Sequence, residues 1–224
     1  MRKPVIAIDG YSSTGKSSIS KVIANELDLI HMDTGALYRG VTYFALKNCL
    51  EQTGEINLEK LFAQLPLIKI EFKTVDHELQ IFLNDEDISQ QIRDKEVSSN
   101  VSLIACQKEV RDYLMETQRS IAKEGGVILD GRDIGTVVLP DADFKFFLTA
   151  SIEERTRRRY LELKSMGVNM LEEEVRENLT TRDKIDSERE VAPLKKAEDA
   201  IIIDNTTLTK METILLIKSY IHPI

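Results

Sequence analysis

Apolar and polar positions along this chain follow two periods that alternate from one end to the other. Val5-Ile6-Ala7-Ile8 is an unbroken apolar run closed by Asp9, the pattern of a strand buried on both faces. Ile19, Val22, Ile23 and Leu27 then recur at helical spacing. Short apolar runs return at 29–32, 127–129, 144–148 and 200–203, each ended by polar residues. Helical patterns fall between and after them, at about 36–49, 96–123, 151–166, 171–185 and 209–221, and Gly125-Gly126 stops the longest. Five short buried strands joined by helical crossovers predict an α/β fold with a parallel five-stranded sheet covered on both faces. Functional residues in such a sheet sit at the carboxyl ends of the strands.

One segment breaks the alternation. Ile68, Ile70 and Phe72 alternate with Lys69, Glu71 and Lys73, and Leu79, Ile81 and Leu83 alternate with Gln80 and Asn84. This period of two, with turns expected at 74–78 and at Asn84-Asp85, predicts a small antiparallel sheet inserted between two helices. It cannot join the parallel sheet without crossing chain connections, so it is expected to stand apart, as a separate flap beside the cleft of the main sheet.

Composition narrows the class. A chain of 224 residues with 42 % hydrophobic residues suffices for one α/β domain with an embellishment. Cys49 and Cys106 form no Cys-x-x-Cys pair and lie near no histidine cluster, which argues against a disulfide framework or structural zinc and fits a reducing compartment. The apolar stretch after Met1-Arg2-Lys3-Pro4 is broken at Asp9, and nothing later is long enough to span a bilayer. A soluble cytoplasmic protein without a membrane partner is expected, and nothing suggests an obligate interface, so a monomer is expected too. The net charge of −8 repels nucleic acid, so any phosphate site must be made by local concentration of cations.

Such a site is written in residues 10–18, Gly10-Tyr11-Ser12-Ser13-Thr14-Gly15-Lys16-Ser17-Ser18, directly after the first strand and before the first helix. Gly, four residues, Gly-Lys-Ser is a phosphate-binding loop: glycines let successive N–H groups turn inward, and the helix that follows adds its positive end. Lys16 is expected to reach the β and γ phosphates of a nucleotide and the Ser17 hydroxyl to sit on Mg2+. Arginine is the residue for forked phosphate contacts, and seven of the thirteen arginines fall in one window: Arg155, Arg157, Arg158, Arg159, Arg176, Arg182 and Arg189. For Arg176 the simpler expectation is neutralisation of nearby glutamates.

Two further strings end strands. Asp33-Thr34-Gly35-Ala36-Leu37-Tyr38-Arg39 joins a strand end to a helix start, with Thr34 a plausible cap; helix-start chemistry alone is the alternative. Asp130-Gly131-Arg132-Asp133-Ile134-Gly135 sets three charges within four residues of an apolar strand, costly unless they are paired or face a ligand.

With these pieces, and with the string from Arg182 through Asp183, Asp186, Ser187 and Arg189 to Ala192-Pro193-Leu194, the chain resembles bacterial cytidylate kinases of the longer type. The resemblance covers essentially the whole chain, including the inserted sheet and Ile203-Asp204-Asn205-Thr206. One departure is in the loop, where Tyr11-Ser12-Ser13-Thr14 replaces the proline- and glycine-rich filling usual in the family.

The resemblance implies a three-layer P-loop kinase fold in a single domain. Its core is expected at 1–35, 95–150 and 190–224, its monophosphate-binding region with the inserted sheet at about 36–94, and its helical lid at about 155–189. It implies transfer of the γ-phosphoryl group of ATP to CMP or dCMP with Mg2+. ATP would be bound by residues 10–18 with Arg157 and Arg158. Asp133 and Arg111 would read cytosine, with Thr34 and Ser102 as supporting hydroxyls and Tyr38 beside them. Arg39, Arg132 and Arg189 would hold the CMP phosphate, and Arg182 with Asp186 the ribose. Lys16, Arg132 and Arg189 would carry catalysis. A uridylate/cytidylate or shikimate kinase on the same fold is the alternative.

Overall fold

Strand and helix follow one another as the apolar periods require. In the computed structural model, which describes residues 2–75 and 78–222, the order begins β1 (Val5–Gly10), α1 (Lys16–Glu26), β2 (Ile30–Asp33), α2 (Thr34–Asn48) and α3 (Leu58–Gln64). It continues with β3 (Ile70–Val75), β4 (Glu78–Leu83), β5 (Glu86–Asp87), α4 (Lys95–Ala105), α5 (Lys108–Ala122) and β6 (Val127–Gly131). A π-type turn at Ile134–Val138 precedes β7 (Phe144–Thr149), α6 (Ile152–Ser165), α7 (Glu172–Glu188), β8 (Ile201–Asp204) and α8 (Lys210–Tyr220). The chain forms two compact units, one of Met1–Asp33 with Arg119–Ile224 and the other of Thr34–Gln118.

The first unit holds a parallel sheet in the order β2-β6-β1-β7-β8. On one face Ile6, Ile8, Ile128, Phe146 and Leu148 pack against Ile19 and Ile23 of α1 and Ile214 and Ile217 of α8. Each of these buried side chains contributes roughly 1.5–3 kcal/mol relative to exposure. The five expected strands are present, but they are not equally buried. β1, β6 and β7 lie inside, whereas β2 and β8 are edges and expose Ile30 and Ile202. Position in the sheet, which an apolar run does not encode, makes that difference. Gly10 ends β1 at φ 146°, and a Cβ there would lie 2.0 Å from the Leu148 carbonyl oxygen, so this strand end admits only glycine.

In the second unit α2 packs along α4 and against an antiparallel sheet in the order β3-β4-β5. Contact is close at Gly40, where a Cβ would meet Ile70 and Ile88 at 3.2 and 3.3 Å. The inserted sheet is therefore its own sheet, as its alternation predicts, with a third short strand added. Asn84 and Asp85, at φ 48° and 67°, make the tight turn that pairs Leu83 with Glu86. Of the turn expected at 74–78, residues 76 and 77 lie outside the described residues.

The long helix expected at 96–123 is two helices. At the break, side chains take carbonyls that a continuous helix would have used: Gln107 Nε2 donates to Leu103 O at 2.9 Å and Arg111 Nη1 to Ala105 O at 3.1 Å. Apolar periodicity does not predict α3. Its signal is a cap, Asn57 Oδ1 accepting the Lys60 N–H at 2.8 Å.

Candidate active site

The phosphate loop leaves the centre of the sheet between β1 and α1. Ser13 at φ 60° and Gly15 at φ 87° supply the left-handed turns that bend it. Lys16 is buried, and its ammonium donates to the Tyr11 carbonyl at 2.6 Å. Burial and the nearby Arg132 cation push its pKa down to about 7, against the pull of Asp130, Asp9 and Asp33. Ser17 Oγ donates to Asp33 Oδ2 at 3.3 Å. The unusual filling is packed in place: the Tyr11 ring meets Phe147 edge-on at 5.9 Å, and the Arg155 guanidinium lies 5.1 Å from its centroid.

Around the loop stand the charges that end β2 and β6. Asp130 is buried and bonded to His31 Nε2 at 2.6 Å; burial, then the Asp33 charge, hold its pKa above the ordinary carboxylate value. Arg132 donates through Nη2 to Ser12 Oγ at 2.7 Å and through Nε to Asp186 Oδ2 at 2.9 Å. Burial disfavours the Arg132 charge, but Asp186, Asp183 and Asp130 outweigh it and raise its pKa. Asp133 and Arg189, both buried, pair at 3.3 Å, and Arg189 Nε also donates to Ala192 O at 2.8 Å. Asp183 holds Arg155, whose Nη1 also reaches Ser12 O at 3.3 Å. The first unit thus brings together Lys16, Ser17, Arg132, Asp133, Asp186 and Arg189. Arg182 is half-buried on the same helix as Asp186, one turn earlier.

The second unit gathers the remaining candidates on α2, α4 and α5. Arg39 donates to Ser98 Oγ at 2.9 Å and to Ile92 O at 3.2 Å. Arg111, only 2 % exposed, has its guanidinium 5.3 Å from the Tyr38 ring centroid. Thr34 and Ser102 are buried, and Ser102 lies one helical turn beyond Ser98.

A family model described as cytidylate kinase matches residues 6–223. A curated cytidylate kinase of Bacillus cereus is 44 % identical over 216 residues, covering 96 % of this chain and 95 % of the relative. One from Bacillus thuringiensis is 45 % identical over 209 residues, covering 93 % and 92 %. The chain belongs to the cytidylate kinase family. Among solved structures, a gluconokinase from Sinorhizobium meliloti is similar at a TM-score of 0.48, with 14 % identity and 98 % and 92 % of the two chains covered.

In this chain the arginine window divides. Arg157 is exposed and pairs with Glu154. Arg158 is half-buried, donating to Glu154 at 2.7 Å, to Asn205 Oδ1 at 3.0 Å and to Asn205 O at 2.7 Å. Hydrogen bonds from Arg157 and then Arg158 pull the Glu154 pKa down to about 2. Arg159 pairs with Glu162, and Arg176 pairs with Glu153 at 3.1 Å, the neutralising role expected of it.

Three residues of this site do not stand out in the sequence. Arg155 reads there only as one of seven clustered arginines at the start of a lid, yet it is buried against the phosphate loop. Asp9 reads only as the end of an apolar run; its carboxylate accepts the N–H groups of Ile134 and Gly135, each at 2.8 Å. Asn205 is buried beside Thr14. A single charged or amide residue adjoining an apolar strand is the available signal for Asp9 and Asn205.

Proposed function

We propose that this chain transfers the γ-phosphoryl group of ATP to CMP or dCMP. Membership of the cytidylate kinase family supports that reading, and one observation carries it. Arg132, which this reading gives to the receiving phosphate, is hydrogen-bonded to Ser12 of the phosphate loop itself, and this supports a cation for the acceptor beside the cradle for the donor.

A CMP phosphate oxygen is already a nucleophile at neutral pH, so no general base is needed. Catalysis rests on in-line positioning and on neutralising the charge of the moving group. Lys16 is placed for that: the triphosphate of ATP restores the ammonium that burial disfavours, so the charge appears where the phosphates bind. Arg132 and Arg189 are oriented in advance by Asp186 and Asp133, and Arg39 by Ser98, so little reorganisation accompanies binding. On this reading Asp133 and Arg111 take the cytosine edge, with Thr34, Ser102 and Tyr38 supporting. Asp186 and Arg182 take the ribose, and Arg157 and Arg158 lie on the ATP side.

The donor set near Lys16 fits Mg2+: a serine hydroxyl bonded to the Asp33 carboxylate, with Asp130 close by, offers hard oxygen ligands. Mg2+ bound with ATP would supply neutralisation of the phosphate charge. Ser17 would hold it, with Asp33 and Asp130 as the neighbouring carboxylates. A cytoplasmic location belongs to the same reading, since the reaction consumes ATP and both cysteines are free.

A coupled assay of ADP release tests the proposal against CMP, dCMP, UMP, AMP and shikimate. CMP or dCMP is expected to give the highest kcat/KM. A higher value with shikimate or AMP would overturn the reading.

A further inference from the structure

Asn205 follows β8 directly and is 2 % exposed. Its backbone N–H donates to Thr149 O at 2.9 Å, which continues the pairing of β8 with β7. Both ends of its side-chain amide are engaged. Nδ2 donates to the carbonyl of Thr14 in the phosphate loop at 2.9 Å, and Oδ1 accepts from Arg158 Nη1 at 3.0 Å. Arg158 also donates to the Asn205 carbonyl, and its Nε is held by Glu154. A single amide thus joins the phosphate loop, the end of β8 and the first turns of α6.

The bond to Thr14 matters because of peptide geometry. In a planar trans peptide the carbonyl and the next N–H point in opposite directions. Holding the Thr14 carbonyl toward Asn205 therefore holds the Gly15 N–H away from it. Gly15, at φ 87°, has no side chain to fix that peptide plane by itself. Thr14 Oγ1 bonds back to Tyr11 O at 3.0 Å, so the loop is braced across its width as well.

We propose that Asn205 is a positioning residue for ATP: it sets the Thr14–Gly15 peptide so that the Gly15 N–H is presented to the nucleotide phosphates, and it registers Arg158 to the same loop. The inference rests on the reading of residues 10–18 as the ATP loop. Asn205 itself touches no substrate. It acts through the loop backbone and through Arg158, so its loss falls on ATP and spares CMP.

The test compares wild type with Asn205→Asp and Asn205→Ser. Aspartate has the same shape and keeps an oxygen for Arg158, but sets a second oxygen with no proton to donate against the Thr14 carbonyl. Serine keeps a hydroxyl too short to serve both partners. The KM for ATP is expected to rise about tenfold in Asn205→Asp and about threefold in Asn205→Ser, the scale of one lost hydrogen bond, with the KM for CMP held within about twofold. ATP dissociation constants from calorimetry are expected to follow the same order. An unchanged ATP affinity in a folded variant, or equal rises in both KM values, overturns the inference. Thermal melting identifies a variant that does not fold, and Asn205→Ser decides alone if the aspartate variant fails. Calorimetry with ATP reads the inference even if the wild type does not phosphorylate CMP, so the two failures are distinguishable.

Discussion

The Asp9 carboxylate accepts the Gly135 backbone N–H at 2.8 Å, and its other oxygen accepts that of Ile134 at the same distance. One side chain at the end of β1 thereby anchors the start of the π-type turn, the segment that directly follows Arg132 and Asp133. The approach is close at Gly135, where a Cβ would lie 3.2 Å from the Lys145 side chain and 3.4 Å from the Asp9 carboxylate. The residue that precedes Gly10 of the phosphate loop therefore also fixes the segment that follows Asp133.

Asp9 also sets a pH dependence. Burial raises its pKa from 3.8 to about 7 despite the two N–H bonds, with the Asp133 charge adding to the rise and Lys16 opposing it. Because the folded value is the higher one, the folded chain holds the proton more tightly. The contribution of Asp9 to stability is fully present below the unfolded value and is lost as pH rises through about 7. An asparagine in its place does not titrate. Relative to wild type, Asp9→Asn is therefore expected to gain stability between pH 5 and pH 8, by up to about 1.4 kcal/mol for each pH unit. Urea unfolding at both pH values checks it, and a stability difference that stays constant would refute the assignment.

Lys16→Ala is expected to lower kcat by a few orders of magnitude, since one charge contact to a phosphoryl transition state is worth roughly 3–5 kcal/mol. The folded protein is expected to keep or gain thermal stability, because the variant removes a buried ammonium whose charge burial disfavours. Steady-state kinetics and a melting curve read the two effects separately. Loss of turnover together with a large fall in melting temperature would point to a structural role instead.

Asp133→Ala removes the carboxylate that pairs with Arg189 and is assigned to the cytosine edge. The KM for CMP is expected to rise while ATP binding is little changed. Discrimination between CMP and UMP is expected to fall by about 1–3 kcal/mol, the scale of one base-edge contact. Titrations with each nucleotide decide the matter. Equal losses for ATP and CMP would indicate a folding defect.

Gly10→Ala tests the geometry of the strand end. A methyl group cannot occupy a point 2.0 Å from the Leu148 carbonyl, so β1 and β7 must separate or the loop must shift. A destabilisation of about 3 kcal/mol is expected, the upper end of the range for overpacked sites. Chemical denaturation measures it, and a loss below about 1 kcal/mol would show that the strand end is more yielding than its contacts require.

The local features of this fold are legible in the residues. β1 is an unbroken apolar run, the phosphate loop has its glycines, lysine and serine at fixed spacing, and the inserted sheet alternates strictly at Ile68, Ile70, Ile81 and Leu83. Periods and loop motifs act between near neighbours, so they survive in the one-dimensional pattern. The break after α4 is the counterexample. Gln107 and Arg111 are ordinary helix formers, and the direction of their side chains, back onto Leu103 O and Ala105 O, is not written in the apolar period.

The sequence alone determined the five strands of the parallel sheet, the two long strands of the inserted one and the phosphate-loop motif between β1 and α1, because short-range spacing carries those properties. Tertiary structure decided which charged side chains are partnered and by what. Arg155 lies under Tyr11, Arg132 between Ser12 and Asp186, Arg158 on Asn205, and Asp9 on Gly135. All but Arg155–Tyr11 are hydrogen bonds, and all join residues far apart in the chain. They exist only because sheet order and helix packing bring those positions within a few ångströms, and burial then makes each partner obligatory.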